Sequence, residues 1–227
     1  MSETKKTLAV LGGTGALGGG LAWRWAKAGY PVVIGSRSAE KAQNAAEELT
    51  GSLAEAGVTP APITGASNED AAKQADLIVV AVPYSAQQAN MEAIKDEAQG
   101  KVVIDCTVPL KPPKVARVQL PDAGCAAVEA QALLGEGVDL VTAFHNVGAE
   151  HLRSDHDVDC DVLVFGDKVA ARDECVELVE AAGMKAWHAG PLDNSAAGEA
   201  LTSVLIGINK RYGIRGSGIR ITGTPTK

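Results

Sequence analysis

Two short stretches hold residue types with legible chemistry. Gly13-Thr14-Gly15-Ala16-Leu17-Gly18 is a Gly-x-Gly-x-x-Gly run at the end of the apolar segment LAVL, and six glycines fall between Gly12 and Gly20. Glycine costs backbone entropy in a strand or helix, so such crowding implies that the main chain comes close to something. In this pattern Gly13 permits a tight turn, Gly15 lets the backbone touch a pyrophosphate, and Gly18 lets the next helix press on the strand. The free N–H groups at that helix start then face the phosphates. Helix–sheet packing alone would not ask for glycine at 13 and 15, so the expected ligand is a dinucleotide.

The second stretch is VVIGSRSAEK, at the end of the next apolar run. NAD-binding units place a carboxylate there to hold the ribose 2′-hydroxyl. Here Gly35 stands near that position, followed by Ser36, Arg37 and, one helical turn on, Lys41. A hydroxyl, a guanidinium and an ammonium bind a 2′-phosphate, whereas a carboxylate would repel it. Positive charge at a helix N-terminus is unfavourable without an anion. The reading is therefore NADP.

These residues need a strand–turn–helix frame, and the chain supplies one. Thr7–Leu11 reads as a buried strand, Ala16–Ala28 as a helix stopped by Gly29, and Pro31–Gly35 as a second strand. Ser38–Leu49 reads as a helix capped by Ser38, and Gly51–Gly65 as a loop with at most a short strand near Ile63. A short helix over Asn68–Ala75, a strand over Asp76–Val82, a helix over Ser85–Ala98 and a strand over Lys101–Cys106 follow. Apolar strands alternating with helices predict a doubly wound parallel α/β sheet, the Rossmann architecture, over residues 1–110. Val108–Gly124 contains four prolines and reads as a long loop. Beyond it, strands over Asp139–Phe144, Asp161–Gly166 and Lys185–Gly190 and helices over Lys168–Ala182 and Ser195–Arg211 predict a small C-terminal α/β extension of the same sheet, residues 111–227.

The totals exclude some functions. The chain has 227 residues, 46% apolar, 22% charged and only 4% aromatic, with a net charge of −7. That charge argues against a nucleic-acid surface. No apolar run approaches the roughly 20 residues that span a bilayer. The polar start MSETKK has no secretory pattern, and Cys106, Cys125, Cys160 and Cys175 lack paired spacing, so reduced thiols in a cytoplasmic protein are expected. His151–Asp161 gathers two histidines, four aspartates and a cysteine, yet the spacing fits no zinc pattern and reads as a solvated acidic loop. No metal is expected. Trp23 and Trp25 lie two apart on one helix, so at least one is expected to seek a second surface, a partner subunit or the sheet edge. Lys111 and Lys114 read as plain surface.

The segments LGGTGALGGGLAWRWAKAGYPVVIGSRSAEKA, DLIVVAVPY, FHNVGAEHL and GPLDNSAAGEALTSVLIGIN, in that order, resemble the F420H2:NADP oxidoreductases. The resemblance runs from Leu8 to about Ile219. It implies a small homodimer that passes a hydride between NADPH and the deazaflavin coenzyme F420. It also implies a nucleotide-binding domain whose cleft is closed by the C-terminal portion. Carried over by residue, Thr14, Gly15, Ala16 and Leu17 would line the pyrophosphate, and Ser36, Arg37 and Lys41 would hold the 2′-phosphate. Tyr84 and Gln88 would sit beside the nicotinamide half, flanked by Leu110 and Ala149. His145, Val147 and Ser217 would meet the deazaflavin. Arg211, Arg215 and Arg220 either receive the acidic tail of F420 or are simply exposed.

Hydride transfer between two bound rings needs no nucleophile, only reacting carbons held about 3–3.5 Å apart with water excluded. The sequence contains no Gly-x-Ser-x-Gly elbow, no Ser-His-Asp arrangement and no tyrosine–lysine pair at dehydrogenase spacing. His145, the candidate for a catalytic role, either orients or protonates the second ring or is a histidine bonded at a strand end. Two other readings keep the same NADP residues: reduction of a flavin, imine or carbonyl compound, and a regulator that senses NADP without turnover.

Overall fold

The computed structural model describes residues 5–223, 225 and 226; residues 1–4 of the polar start lie outside it. Strand β1, Leu8–Leu11, has no exposed residue, and its alternate side chains enter two separate cores. Leu8 and Val10 join Leu21 and Trp25 of helix α1 (Ala16–Lys27), Leu49 and Leu53 of α2 (Ala39–Glu55) and Leu178 of α6 (Val169–Ala181). Ala9 and Leu11 join Ala71 of α3 (Asn68–Gln74), Met91 and Ile94 of α4 (Tyr84–Ile94) and Leu134 of α5 (Ala126–Leu134). Strands covered on both faces read as unbroken apolar runs. Burying each large aliphatic side chain contributes about 1.5–3 kcal/mol.

The remaining strands are β2 (Val32–Ser36), β3 (Ile63–Ser67), β4 (Leu77–Val80), β5 (Val102–Asp105), β6 (Asp139–Thr142), β7 (Asp161–Gly166) and β8 (Lys185–His188). One eight-stranded sheet results, in the order β3-β2-β1-β4-β5-β6-β7-β8. All pairings are parallel except β6 with β7, so the sheet is mixed beyond residue 139. The order reverses between β1 and β4, the point where open α/β sheets leave a crevice at their carboxyl edge. Helix α7 (Ser195–Tyr212) closes the C-terminal half.

The structure amends four expectations. Helix α2 runs past Leu49 to Glu55, because Ala42, Ala46, Leu49 and Leu53 keep one buried stripe; that outweighs the roughly 1 kcal/mol cost of helical Gly51. Residues 63–67 form a full edge strand on β2. Helix α5 follows the proline loop, where no helix was expected. Trp23 and Trp25 both stay inside the chain. The Trp25 indole donates to the Leu178 carbonyl at 2.8 Å, and that of Trp23 reaches Ser52 Oγ at 3.3 Å.

Candidate functional site

The glycine run turns out of β1 at the switch point. Gly12 has φ +79°, and a Cβ there would lie 2.4 Å from the Ala81 carbonyl oxygen, so the left-handed turn belongs to Gly12 rather than Gly13. Gly13 is also demanded by packing, against the sequence expectation: its Cβ would meet Ile34 Cδ1 at 2.8 Å. Gly18 lets α1 approach to where a Cβ would be 2.6 Å from the Gly12 oxygen. Gly15 differs. Its backbone is extended with φ −86°, and a methyl there would meet only the Gly12 oxygen, at 3.2 Å. Almost nothing in the fold forbids a side chain at 15, so the need for a bare backbone comes from outside. Thr14, Gly15 and Ala16 are exposed around this N-terminus of α1.

A cleft of about 190 Å³ opens at the carboxyl ends of β1, β2 and β4, lined by Gly12, Thr14, Gly15, Ser36, Arg37, Asn68, Val82, Pro83 and Asn90. A side chain at Gly35 would meet Leu11 Cδ2 at 2.5 Å and Asn68 Oδ1 at 3.0 Å, so no carboxylate fits there. Ser38 caps α2, accepting from the Lys41 N–H at 3.3 Å, and Ser36 Oγ accepts from the Ser38 N–H at 3.3 Å. The Lys41 side chain is exposed on the first turn of α2, outside the cleft lining. Asn68 donates to Asn90 Oδ1 at 2.7 Å, and Asn68 Oδ1 is buried with no partner among the described residues. Neither asparagine belongs to a motif. Only their register beside the cleft reveals them.

Val82 and Pro83 also line a second cleft of about 450 Å³, walled by Leu17, Tyr84, Cys106, Val108, Leu110, Phe144 and His145. Tyr84 is fixed: its hydroxyl donates to Glu129 Oε2 at 2.7 Å, and burial followed by that carboxylate pushes its pKa up to about 12. Gln88 does not reach this cleft; it is exposed and donates to Glu92 Oε1 at 2.9 Å. Its neighbour Gln87 turns inward instead, donating to Asp105 Oδ2 at 2.5 Å. Phe144 has φ +66°, a conformation costing about 1–3 kcal/mol for a side chain of this kind, and the residue after it is His145.

His145, Val147 and Thr202 are shared with a third cleft of about 180 Å³, lined also by Ala149, Asn209 and Ser217. Ala149 therefore stands with Ser217, in a short turn over Ala149–His151, and does not flank Leu110. His145 is only 6% exposed, and burial holds its pKa down at about 4, so the imidazole is neutral. Its Nε2 and Ser217 Oγ are buried without a hydrogen-bond partner among the described residues. Such orphaned groups carry a desolvation cost that a bound ligand can relieve.

Behind the second cleft sits a carboxylate cluster. Asp105 accepts from the Thr107 N–H at 3.0 Å, and burial pushes its pKa up to about 6. Glu199 accepts from the N–H groups of Ala126 and Ala127 at 2.8 and 3.0 Å, capping α5, and burial pushes it up to about 7. Among the described residues, no group of three or more His, Cys, Asp or Glu is placed to hold a metal ion. Arg211, Arg215, Lys111 and Lys114 are exposed, and Arg220 pairs with Asp159.

A doubly wound sheet with a glycine turn at its switch point, and further clefts joined to that turn, is the architecture of nucleotide-dependent oxidoreductases. The family described as NADP oxidoreductase, coenzyme F420-dependent, matches residues 7–109. The F420-dependent NADP reductase of Methanothermobacter thermautotrophicus is 40% identical over 224 residues, covering 96% of this chain and 95% of that protein. That of Methanocaldococcus jannaschii is 39% identical over 220 residues, covering 95% and 97%. A solved structure from Arthrobacter sp. FB24 superposes with a TM-score of 0.76 at 23% identity, over 96% of this chain and 100% of that one, and shares the fold. The chain belongs to the coenzyme F420-dependent NADP oxidoreductase family.

Proposed function

We propose that this protein transfers a hydride between NADPH and coenzyme F420. The observation that carries the reading is the row of three clefts along the carboxyl edge, joined by shared walls: Val82 and Pro83 between the first two, His145, Val147 and Thr202 between the last two. When bound, the nicotinamide supplies the hydride and the deazaflavin accepts it.

The chain's own residues bind and orient. Gly15 and the start of α1 receive the pyrophosphate through bare main chain, with Thr14, Ala16 and Leu17 around it. Gly13 and Gly18 shape the turn from behind. Ser36 and Arg37 hold the 2′-phosphate at the start of α2, with Lys41 reaching back from one turn on. The unpartnered Asn68 Oδ1 fits a donor on the adenosine half. Tyr84, Leu110 and Cys106 wall the nicotinamide side and exclude water; Gln88 stands outside that wall. His145 Nε2 and Ser217 Oγ offer hydrogen bonds to the polar edge of the second ring, beside Val147 and Ala149. No proton-transfer pair is required, and neutral His145 serves as a hydrogen-bonding group.

In this reading residues 1–110 hold the dinucleotide and 111–227 complete and cover the cleft. The working unit is a homodimer: Leu201, Val204 and Ile208 share one face of α7, with Val204 49% exposed. Four free buried cysteines suit a reducing cytoplasm, and the net charge of −7 disfavours nucleic acid. Among the described residues no helix is long and apolar enough to cross a membrane. Purified protein with NADPH should lose the reduced-nicotinamide absorbance on addition of F420. No loss with F420, alongside turnover of a flavin or ketone, overturns the assignment.

A further inference from the structure

Gly20 is not used by the phosphate-binding turn, and Gly19, whose Cβ would lie 2.8 Å from the Gly13 oxygen, serves both that turn and a second contact. A Cβ on Gly20 would lie 2.5 Å from Leu152 Cβ, and one on Gly19 would lie 2.6 Å from Arg153 Nη2. They let the segment after the third cleft lie directly on helix α1. Four residues beyond Gly20, on the same helix face, stands Arg24, only 8% exposed. Its Nε donates to the Leu152 carbonyl at 2.9 Å and its Nη1 to that of Ala182 at 2.9 Å. Its Nη2 is shared among the carbonyls of His151, Ser154 and His156 at 3.1, 2.9 and 2.8 Å. An irregular segment must find donors for its carbonyls, and here one guanidinium fork serves four of them, with the Ala182 carbonyl at the end of α6 as a fifth partner. Lysine lacks that fork.

The gripped segment leads straight to the second-substrate groups. His151, whose carbonyl Arg24 holds, places its Nε2 3.1 Å from the Arg215 carbonyl. Gly148 and Gly216 approach so closely that a Cβ on Gly148 would lie 2.7 Å from Gly216 Cα. Next in the chain is Ser217, whose hydroxyl faces the same cleft as His145. The other end of the same α1 face begins at Leu17, in the middle cleft.

We infer that Arg24 is a positioning residue for the second-substrate pocket: it locks residues 151–156, and through His151 the Arg215–Ser217 strand of chain, onto the helix whose N-terminus receives the dinucleotide. This rests on the hydride-transfer reading above. Arg24 touches neither substrate, and its effect is to hold the His145–Ser217 cleft in register with the nicotinamide cleft.

The test compares wild type with Arg24→Met and Arg24→Lys. Three quantities are read: kcat and KM for F420, the NADPH dissociation constant by calorimetry, and amide hydrogen exchange of residues 145–156 in the ligand-free protein. Misplacing a reacting group by about 1 Å costs roughly 100-fold, so kcat/KM for F420 should fall by about that factor in Arg24→Met. NADPH affinity should stay within about twofold, and exchange should quicken at 145–156 but not in β1. Arg24→Lys should recover part of the loss. Gly20→Ala, which drives a methyl into Leu152, should give the same split between the two substrates. Unchanged F420 kinetics in a folded variant overturn the inference. So does a parallel loss of NADPH affinity, or failure of all three variants to fold, since either marks Arg24 as a residue of general stability. If wild type itself does not turn over F420, the hydride-transfer reading fails instead. The exchange and NADPH measurements then still decide what Arg24 holds.

Discussion

Replacing Arg37 by alanine separates the 2′-phosphate from the rest of the dinucleotide. Arg37 lines the first cleft beside Ser36, and no hydrogen bond or ion pair to protein ties up its guanidinium among the described residues. Its removal therefore leaves no protein partner stranded. The loss is one charge-assisted hydrogen-bonding group, about 1.5–3 kcal/mol. At about 1.4 kcal/mol per tenfold, that is roughly a 10- to 150-fold rise in the NADPH dissociation constant. NADH lacks the phosphate and should bind almost unchanged. Calorimetric titration of wild type and Arg37→Ala with both nucleotides, at one fixed ionic strength, reads the difference directly. Raising salt should shrink the NADPH preference of wild type more than that of the variant, because the contact is exposed and screened. Equal losses for both nucleotides would refute the placement of the phosphate at the start of α2. So would no loss for either.

Gly15→Ala should leave the melting temperature nearly intact, since its methyl meets only one oxygen at 3.2 Å, while weakening NADPH and NADH alike; a large drop in Tm with normal binding contradicts the pyrophosphate contact. Burial raises Glu199 to about 7. A carboxyl raised in the fold contributes stability fully below its unfolded pKa and loses it as pH rises through the folded value. Against a Glu199→Gln reference, urea titration should therefore show wild type losing about 3 kcal/mol of relative stability between about pH 4 and 8, and a pH-independent offset would contradict the buried state. His145, held down at about 4, should give no limb near pH 6.5 in kcat/KM for F420. A limb near that value, abolished by His145→Gln, would mean that the imidazole titrates in the working enzyme.

The nucleotide half was legible because its signals are local. The glycine spacing, the apolar runs and the Ser-Arg-Ser turn each sit within a few residues of what they build. Even there, spacing alone puts the tight turn at Gly13, whereas the positive φ and the nearby carbonyl of Ala81 put the left-handed turn at Gly12. Helix α5 carries no local start signal, because its N-terminus has no side-chain cap of its own; Glu199, on another helix, supplies it. The same holds for Gln88 and Gln87. Adjacent positions on α4 differ by about 100° of rotation, and only the packing of that helix shows that residue 87 is the one turned inward. Arg24 reads as an ordinary polar position between two tryptophans, and its five carbonyl partners lie between 127 and 158 residues away. The resemblance pointed to residues of the last cleft, His145, Val147 and Ser217, where periodicity could not, but it put Ala149 beside Leu110 whereas Ala149 lines that last cleft.

The antiparallel pairing of β6 with β7, the one such pairing among the described residues, governs how the molecule can change. Since β7 runs back against β6, the connection from residue 143 to 160 leaves and re-enters the sheet at the same rim, and between those points it lies against α1 through Leu152. A connection of that kind can grow, shrink or be exchanged without rethreading any strand. Acceptor preference can therefore change within residues 143–160 without reordering the sheet, provided that Leu152 keeps its seat on Gly20 and Arg24 its grip on residues 151–156.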